Sequence, residues 1–133
     1  DLGTATTIIS ISKNKKFLGG VIIPGIKTQL NALINDTSKL PFVEIEKTNF
    51  VLTNNTISSI KSGLYYSSLG AIKFLIEKIT KESNFKDDKI IIGTGGFSNL
   101  FKEEKIFDKI IPNLVLEGLI IAYSNYLEKL NAA

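Results

Sequence analysis

Histidine and cysteine, on which many enzymes depend, are both absent from this sequence of 133 residues. Without cysteine the chain has neither disulfide bonds nor thiolate metal sites. Without histidine it has no imidazole for acid–base catalysis and no histidine-ligated zinc or iron. Chemistry is left to carboxylates, hydroxyls, lysines and backbone amides. That set suits phosphoryl transfer, which depends on positioning and charge neutralisation more than on covalent help.

Arginine is absent as well, so all 16 basic residues are lysines, and the formal net charge is +3. Base readout and stacking on nucleic acids favour arginine, and lysines here alternate with acids, as in Lys102, Glu103, Glu104 and Lys105. We therefore expect no nucleic-acid partner. No apolar run approaches the roughly 20 residues of a membrane span, and no signal peptide is seen, so we expect no membrane association and a cytoplasmic protein.

The first third of the chain predicts a β-hairpin followed by a helix. Residues 4–11 are rich in β-branched side chains, the polar segment 12–16 makes a turn, and residues 17–23 form the returning strand. The pair Gly19-Gly20 predicts a bulge or a close backbone approach in that strand. Pro24-Gly25 ends it, apolar residues at helical spacing predict a helix over 26–36, and FVEIE at 42–46 predicts another short strand.

The remaining chain changes to a helical period. Apolar residues from Ile57 to Ile79 predict one face of a long helix, which small residues such as Gly63 and Gly70 interrupt. A strand, KIIIGTGG at 89–96, then leads into a helix capped by Ser98 or Asn99, and residues 112–130 predict a last helix between a sheet and a second surface. We predict one α/β domain over 1–133, a mixed sheet led by a hairpin with helices on its faces.

Two turns rich in glycine and threonine are the candidates for anion binding, DLGTATT at 1–7 and GTGG at 93–96. Glycine lets the backbone approach an anion, while hydroxyls and consecutive N–H groups donate to phosphate oxygens. Each turn alone also has a structural interpretation, a tight connection for GTGG and a cap or turn residue for Asp1. GTGG fits neither the P-loop nor the dinucleotide-binding fingerprint.

Five motifs occur in one order along the whole chain. They are DLGTATT, GG-x-I-x-PG at 19–25, T-x-x-LP at 37–41, NT-x-x-S-I-x-SG-x-x-Y at 55–66 and GTGG. This set resembles the type III pantothenate kinases, also called the Bvg accessory factor family, within the superfamily of acetate kinase, sugar kinases and actin. The resemblance implies a ribonuclease H-like, actin-like ATPase fold, of which this chain is similar to the second half.

The resemblance also implies an activity: transfer of the γ-phosphate of ATP to pantothenate, the first step of coenzyme A biosynthesis. It implies a divalent metal such as Mg²⁺, which Asp1 would help to place, and a monovalent cation, K⁺ or NH₄⁺. Thr56 would reach the pantothenate site, in the family from across a homodimer interface. Thr56 could also simply cap the long helix, and we expect it to have both roles. The residues implied to lie along the nucleotide and its phosphates are Gly3, Thr4, Thr6, Gly93, Thr94, Gly95 and Gly96.

In the family a preceding domain carries a first phosphate motif, Asp-x-Gly-Asn-Thr, and a Gly-x-Asp-Arg segment whose Asp is the expected general base. This sequence lacks both segments. We therefore expect this chain to be the C-terminal domain of such a kinase, with no catalytic base of its own and no phosphoryl transfer in isolation. The alternative is a non-catalytic domain of the same fold that serves dimerisation or regulation. A different acetate- or sugar-kinase relative is a third possibility, against which the GG-x-I-x-PG segment argues.

Overall fold

An antiparallel hairpin is the first element of the computed structural model, which describes residues 1–83 and 89–131. Its strands are β1 (Ala5–Ile11) and β2 (Phe17–Pro24), paired from Ala5 opposite Pro24 to Ile11 opposite Phe17. The register is irregular between Ser10 and Ile11, opposite Gly19, whose φ is 135°. The predicted hairpin and its bulge at the glycine pair are confirmed.

The two faces of the hairpin have different surroundings. Thr6 and Ser10 point inward and are buried, whereas Ile9 and Ile11 on the opposite face are exposed. Successive side chains of a strand alternate between faces, so the outer face carries apolar residues that nothing covers among the described residues. Ile22 and Phe17 of β2 are exposed in the same way.

Two helices pack beside the hairpin and form the core with it. They are α1 (Ile26–Asn35) and α2 (Thr56–Glu82). The predicted apolar stripe of α2 is confirmed along most of its length, because Ile60, Leu64 and Ile72 are buried, although Ile57 is exposed. The buried part of α1 is Ile26 and Leu30, which belong to the same core as Leu2.

The segment between α1 and α2 contains no strand, so the predicted strand at 42–46 is wrong. The alternation that suggested it is real, because Val43 is buried and Ile45 is partly buried between exposed neighbours. Alternation records which side chains face the core, whereas a strand also needs a hydrogen-bonded partner. The segment packs on the core through these two side chains without that partner.

The segment between α2 and the last helix contains only short regular elements among the described residues. Strands β3 (Ile92–Gly93) and β4 (Lys109–Ile110) pair in parallel on either side of a 3₁₀ helix, Ser98–Glu104. The α/β class is confirmed, but the described strands form two separate two-stranded sheets and not one mixed sheet. The predicted cap at Ser98 or Asn99 is wrong, because Phe97 precedes the helix without a side-chain cap. The strand predicted at 89–96 is limited to Ile92–Gly93.

The last helix, α3 (Leu114–Asn131), has no buried residue, so the prediction that a sheet covers one of its sides is wrong for the described residues. Its apolar side chains, among them Leu119, Ile120 and Tyr123, are exposed. An apolar pattern shows that a surface needs cover, but not which surface supplies it. Among the described residues no helix combines the length and apolar character needed to cross a membrane.

Candidate functional site

The two glycine turns predicted as anion sites lie side by side, although Leu2 in the first turn and Thr94 in the second are more than 90 positions apart in the sequence. The backbone N–H of Leu2 donates to the Thr94 carbonyl at 2.8 Å, and the Phe97 N–H donates to the Leu2 carbonyl at 3.1 Å. Leu2 itself is buried in the core. The first turn is therefore anchored to the second by backbone hydrogen bonds on both sides of one buried residue.

The Asp1 carboxylate lies against both turns. A β-carbon placed on Gly3 would be 3.6 Å from Asp1 Oδ1, and one placed on Gly95 would collide with the same oxygen and lie 2.6 Å from the Leu2 nitrogen. Gly95 also has a φ of 88°, in the region that glycine adopts without strain. Glycine at this position therefore permits both the turn and the approach of Asp1.

The donors available to an anion at these turns are mostly backbone groups. In the described part of the chain, the N–H groups of Gly95 and Gly96 donate to no protein acceptor. Thr4 is exposed, but Thr6 is 6% exposed and lies in the core, and the Thr94 hydroxyl donates to the Pro112 carbonyl at 3.2 Å. Among the groups considered, the backbone N–H groups of Gly95 and Gly96 and the exposed Thr4 side chain are therefore left as donors for a phosphate.

The donor set can be compared with the needs of a divalent metal. Within residues 1–83 and 89–131, no three carboxylates cluster as an all-protein metal site would require. Mg²⁺ is commonly held by one or two carboxylates together with substrate phosphates and water. The exposed Asp1 carboxylate, beside the two turns that the sequence predicts to bind anions, therefore fits a metal that arrives with phosphates.

Thr56 lies elsewhere, at an open groove of about 1030 Å³ between α1 and the first half of α2. The groove is lined by Gln29, Leu33 and Asp36 on one side and by the segment 53–56, Gly63 and Ser67 on the other. None of the residues implied to contact nucleotide lines it. The structure therefore separates the predicted site into a phosphate part and a groove part.

Asn55, and not Thr56, caps the long helix. The Asn55 Oδ1 accepts a hydrogen bond from the Ser58 N–H at 2.9 Å, while Thr56 is the first helical residue. The expectation that Thr56 combines capping with substrate binding is wrong as far as the cap is concerned. Within the described residues its exposed hydroxyl has no hydrogen-bond partner, which leaves it available to a ligand.

Gln29 is a groove residue that the sequence patterns did not single out. Its amide nitrogen donates to the Pro24 carbonyl at 3.0 Å, and its amide oxygen accepts from the Ser67 hydroxyl at 3.3 Å. Gln29 therefore connects α1, the end of β2 and α2 at the edge of the groove. A polar residue next to the buried Leu30 of an otherwise apolar stripe was the signal that could have found it.

A buried tyrosine joins α2 to the segment after GTGG. Tyr65 is 0% exposed, and its hydroxyl donates to Glu104 Oε1 at 2.8 Å. Burial, followed by this hydrogen bond, raises the pKa of Tyr65, so the phenol stays neutral. The hydrogen bond from Tyr65, and to a lesser extent the nearby Lys73 ammonium, lowers the pKa of Glu104, so the carboxylate stays charged.

Comparison with known proteins gives consistent family matches. The family model described as type III pantothenate kinase matches residues 1–78. A type III pantothenate kinase of Legionella pneumophila (strain Paris) is 48% identical over 122 residues, which are 92% of this chain and 48% of that protein. Type III pantothenate kinase 1 of Francisella tularensis subsp. holarctica (strain OSU18) is 46% identical over 123 residues, again 92% and 48% of the two chains. The chain spans about half the length of the curated relatives it matches.

A solved structure supports the fold. A protein described as a Baf family transcriptional activator from Campylobacter jejuni superimposes with a TM-score of 0.65. The match covers 95% of this chain and 56% of that one, at 21% sequence identity. At this identity the likeness establishes the fold alone.

Proposed function

The chain belongs to the type III pantothenate kinase family, and we propose that it supplies the phosphate-contacting half of an ATP:pantothenate phosphotransferase that acts in coenzyme A biosynthesis. The observation that carries the proposal is the pairing of the Asp1 turn with the GTGG turn through Leu2. It supports the proposal because the Asp1 carboxylate lies against Gly95, next to the N–H groups of Gly95 and Gly96 that are free among the described residues, and because the exposed Thr4 belongs to the same first turn. Those groups are what phosphoryl transfer asks of a protein that positions phosphates.

In the proposed reaction the pantothenate hydroxyl oxygen bonds to the γ-phosphorus of ATP while the bond to the leaving ADP oxygen breaks. The N–H groups of Gly95 and Gly96 and the Thr4 hydroxyl would donate to phosphate oxygens, with Gly3 in the same turn as Thr4. Gly93 would act indirectly, because it is buried and a β-carbon there would collide with the Phe107 ring. Asp1 would hold Mg²⁺ at the phosphates, and the metal would supply charge neutralisation there. The monovalent cation, K⁺ or NH₄⁺, would contribute further positive charge.

The base that accepts the hydroxyl proton would come from another domain, as the family motifs imply. The exposed apolar faces of α3 and the hairpin are consistent with burial against such a domain or a second copy of the chain. We therefore expect this chain in isolation to phosphorylate pantothenate at least about 10⁴-fold more slowly than the native-length protein that contains it.

The experiment is a pantothenate phosphorylation assay with ATP and Mg²⁺ on both proteins, with glycerol in place of pantothenate as the control acceptor. Turnover by the longer protein together with an inactive isolated chain supports the proposal. Ordinary turnover by the isolated chain would contradict the assignment of the base to another domain. Nucleotide binding without any transfer by the longer protein would instead favour the non-catalytic alternative.

The groove is the proposed pantothenate site, with Thr56 donating or accepting a hydrogen bond from across a homodimer interface. Replacing Thr56 with alanine is expected to lower kcat/KM for pantothenate about two- to tenfold, the effect of one hydrogen bond. Because Asn55 carries the cap, stability should change by less than about 0.5 kcal/mol. Steady-state kinetics at saturating ATP and urea unfolding measure the two effects.

Asn55→Ala is the companion variant for that test. It removes the cap and should lower the free energy of unfolding by about 1 kcal/mol. A destabilised Thr56→Ala protein with unchanged pantothenate kinetics would show that Thr56 has a structural role only.

Two glycines on the exposed side of α2 provide a further test of the groove. Neither Gly63 nor Gly70 has another heavy atom within 4 Å of an added β-carbon, so alanine at either position should stabilise the helix by about 1 kcal/mol. Only Gly63 lines the groove. We expect Gly63→Ala to raise the KM for pantothenate, and Gly70→Ala to leave it unchanged. Equal kinetic effects of the two substitutions would contradict the groove assignment.

A further inference from the structure

Tyr65 makes two separate contacts with one short element. Its ring stacks on Phe101, with centroids 5.3 Å apart and planes 26° apart, and its hydroxyl donates to Glu104 Oε1 at 2.8 Å. Phe101 and Glu104 both belong to the 3₁₀ helix that follows GTGG. One side chain of α2 therefore fixes both the position of that helix and its rotation.

The 3₁₀ helix is in turn coupled to the GTGG turn by hydrogen bonds. The Ser98 hydroxyl and the Ser98 N–H both donate to the Gly95 carbonyl, at 2.8 and 3.1 Å. Ser98 is completely buried. A rotation of the 3₁₀ helix would move Ser98 and with it the Gly95 peptide, whose neighbouring N–H groups are the proposed phosphate donors.

The same helix also packs on the first turn. Phe101 lines a space of only about 10 Å³ together with Leu2, Gly3 and Thr6. The Phe101 ring therefore packs closely against the first turn. The Asp1 turn and the GTGG turn therefore both lie against the element that Tyr65 holds.

We infer that Tyr65 is a positioning residue for nucleotide: its side chain is fully buried, and through Glu104 and Phe101 it sets the geometry of the two phosphate turns. The inference rests on the proposed function for the identity of the ligand. A phenylalanine at position 65 would fill nearly the same volume and keep the ring stacked on Phe101. The substitution therefore removes mainly the hydrogen bond to Glu104, which orients the 3₁₀ helix.

The test compares Tyr65→Phe with Tyr66→Phe in the native-length protein. Tyr66 is the matched control, because its hydroxyl also donates to one acceptor, the Thr48 carbonyl at 3.1 Å, which belongs to a different segment. Affinity for a non-hydrolysable ATP analogue with Mg²⁺ is measured by titration calorimetry, and KM values for ATP and pantothenate by kinetics. Tyr65→Phe is expected to weaken nucleotide affinity about three- to tenfold and leave the pantothenate KM within about twofold, whereas Tyr66→Phe leaves nucleotide affinity unchanged.

Glu104 provides the second arm, which also serves if Tyr65→Phe does not fold. Glu104→Ala removes the acceptor and should reproduce the nucleotide defect, whereas Glu104→Gln keeps an oxygen that accepts from Tyr65 and should retain most of the affinity. In a double-mutant cycle, Tyr65→Phe should add little to Glu104→Ala.

Three results would overturn the inference. They are an unchanged nucleotide affinity in both Tyr65→Phe and Glu104→Ala, an equal loss for both substrates, and an equal nucleotide defect in Tyr66→Phe. A protein that binds the ATP analogue but does not phosphorylate pantothenate would contradict the proposed function alone, since the calorimetric comparison still decides the role of Tyr65. A native-length protein that binds no nucleotide would contradict both.

Discussion

Replacing Gly95 with alanine is expected to lower the free energy of unfolding by about 3 kcal/mol. The φ of 88° is unfavourable for any residue with a β-carbon, and the added carbon would lie 2.6 Å from the Leu2 nitrogen and 2.8 Å from the Leu2 carbonyl carbon. Backbone atoms of a buried residue cannot move aside as the end of a flexible side chain can. Relief of the collision would separate the Asp1 turn from the GTGG turn.

Gly96→Ala is the control for this prediction, because no heavy atom lies within 4 Å of a β-carbon at Gly96 and its φ is not positive. Its stability should stay within about 0.5 kcal/mol of the parent protein. Urea unfolding of the purified proteins measures the difference. Equal stability of the two variants would show that the two turns are not in the contact described.

The contact between Asp1 and Gly95 is a feature that local sequence patterns could not predict. Each turn could be recognised locally, because glycine and threonine cluster in it. Their adjacency depends on Leu2, whose two backbone hydrogen bonds reach a segment more than 90 residues away. No local period encodes such a partner, and here only the order of the five motifs, through the family resemblance, implied that the turns belong to one site.

Two errors in the predicted fold have the same cause, because each predicted element lacks the neighbouring element that the prediction assumed. Residues 42–46 alternate as a strand does, yet no described strand pairs with them. The α3 helix was recognised from its composition, yet it packs on no sheet in the described chain. By contrast, the hairpin and α2 were predicted well, because a hairpin contains its own partner strand and α2 presents a long, regular apolar stripe.

The groove and the polar contacts around α2 were only partly predictable. The motif points to Thr56, but the sequence does not show whether Asn55 or Thr56 is the cap. That depends on the exact first residue of the helix, and a shift of one residue changes which side chain caps it. The pairing of Tyr65 with Glu104 joins residues 39 positions apart and has no sequence signature.

Phe101→Ala should be the most destabilising of the substitutions considered, with a loss of about 4 kcal/mol in the free energy of unfolding. Phe101 is 1% exposed, stacks on Tyr65 and packs against Leu2, so its removal leaves a cavity where α2, the 3₁₀ helix and the first turn meet. Phe101 belongs to the buried core cluster, and a cavity among well-packed core residues collapses only partly, so we expect a cost in the upper part of the usual range.

The control for Phe101 is Phe50→Ala, since Phe50 is 72% exposed and should cost less than about 0.5 kcal/mol. Phe101→Leu should recover about half of the loss, because leucine refills part of the volume without the ring stack. Urea unfolding followed by circular dichroism gives all three values. Similar stabilities of Phe101→Ala and Phe50→Ala would contradict the placement of Phe101 at the centre of the core. We expect the free energy of unfolding to be much lower for Phe101→Ala than for Phe101→Leu or Phe50→Ala. That order would show that the packing around Phe101, where the two phosphate turns meet, also stabilises the fold.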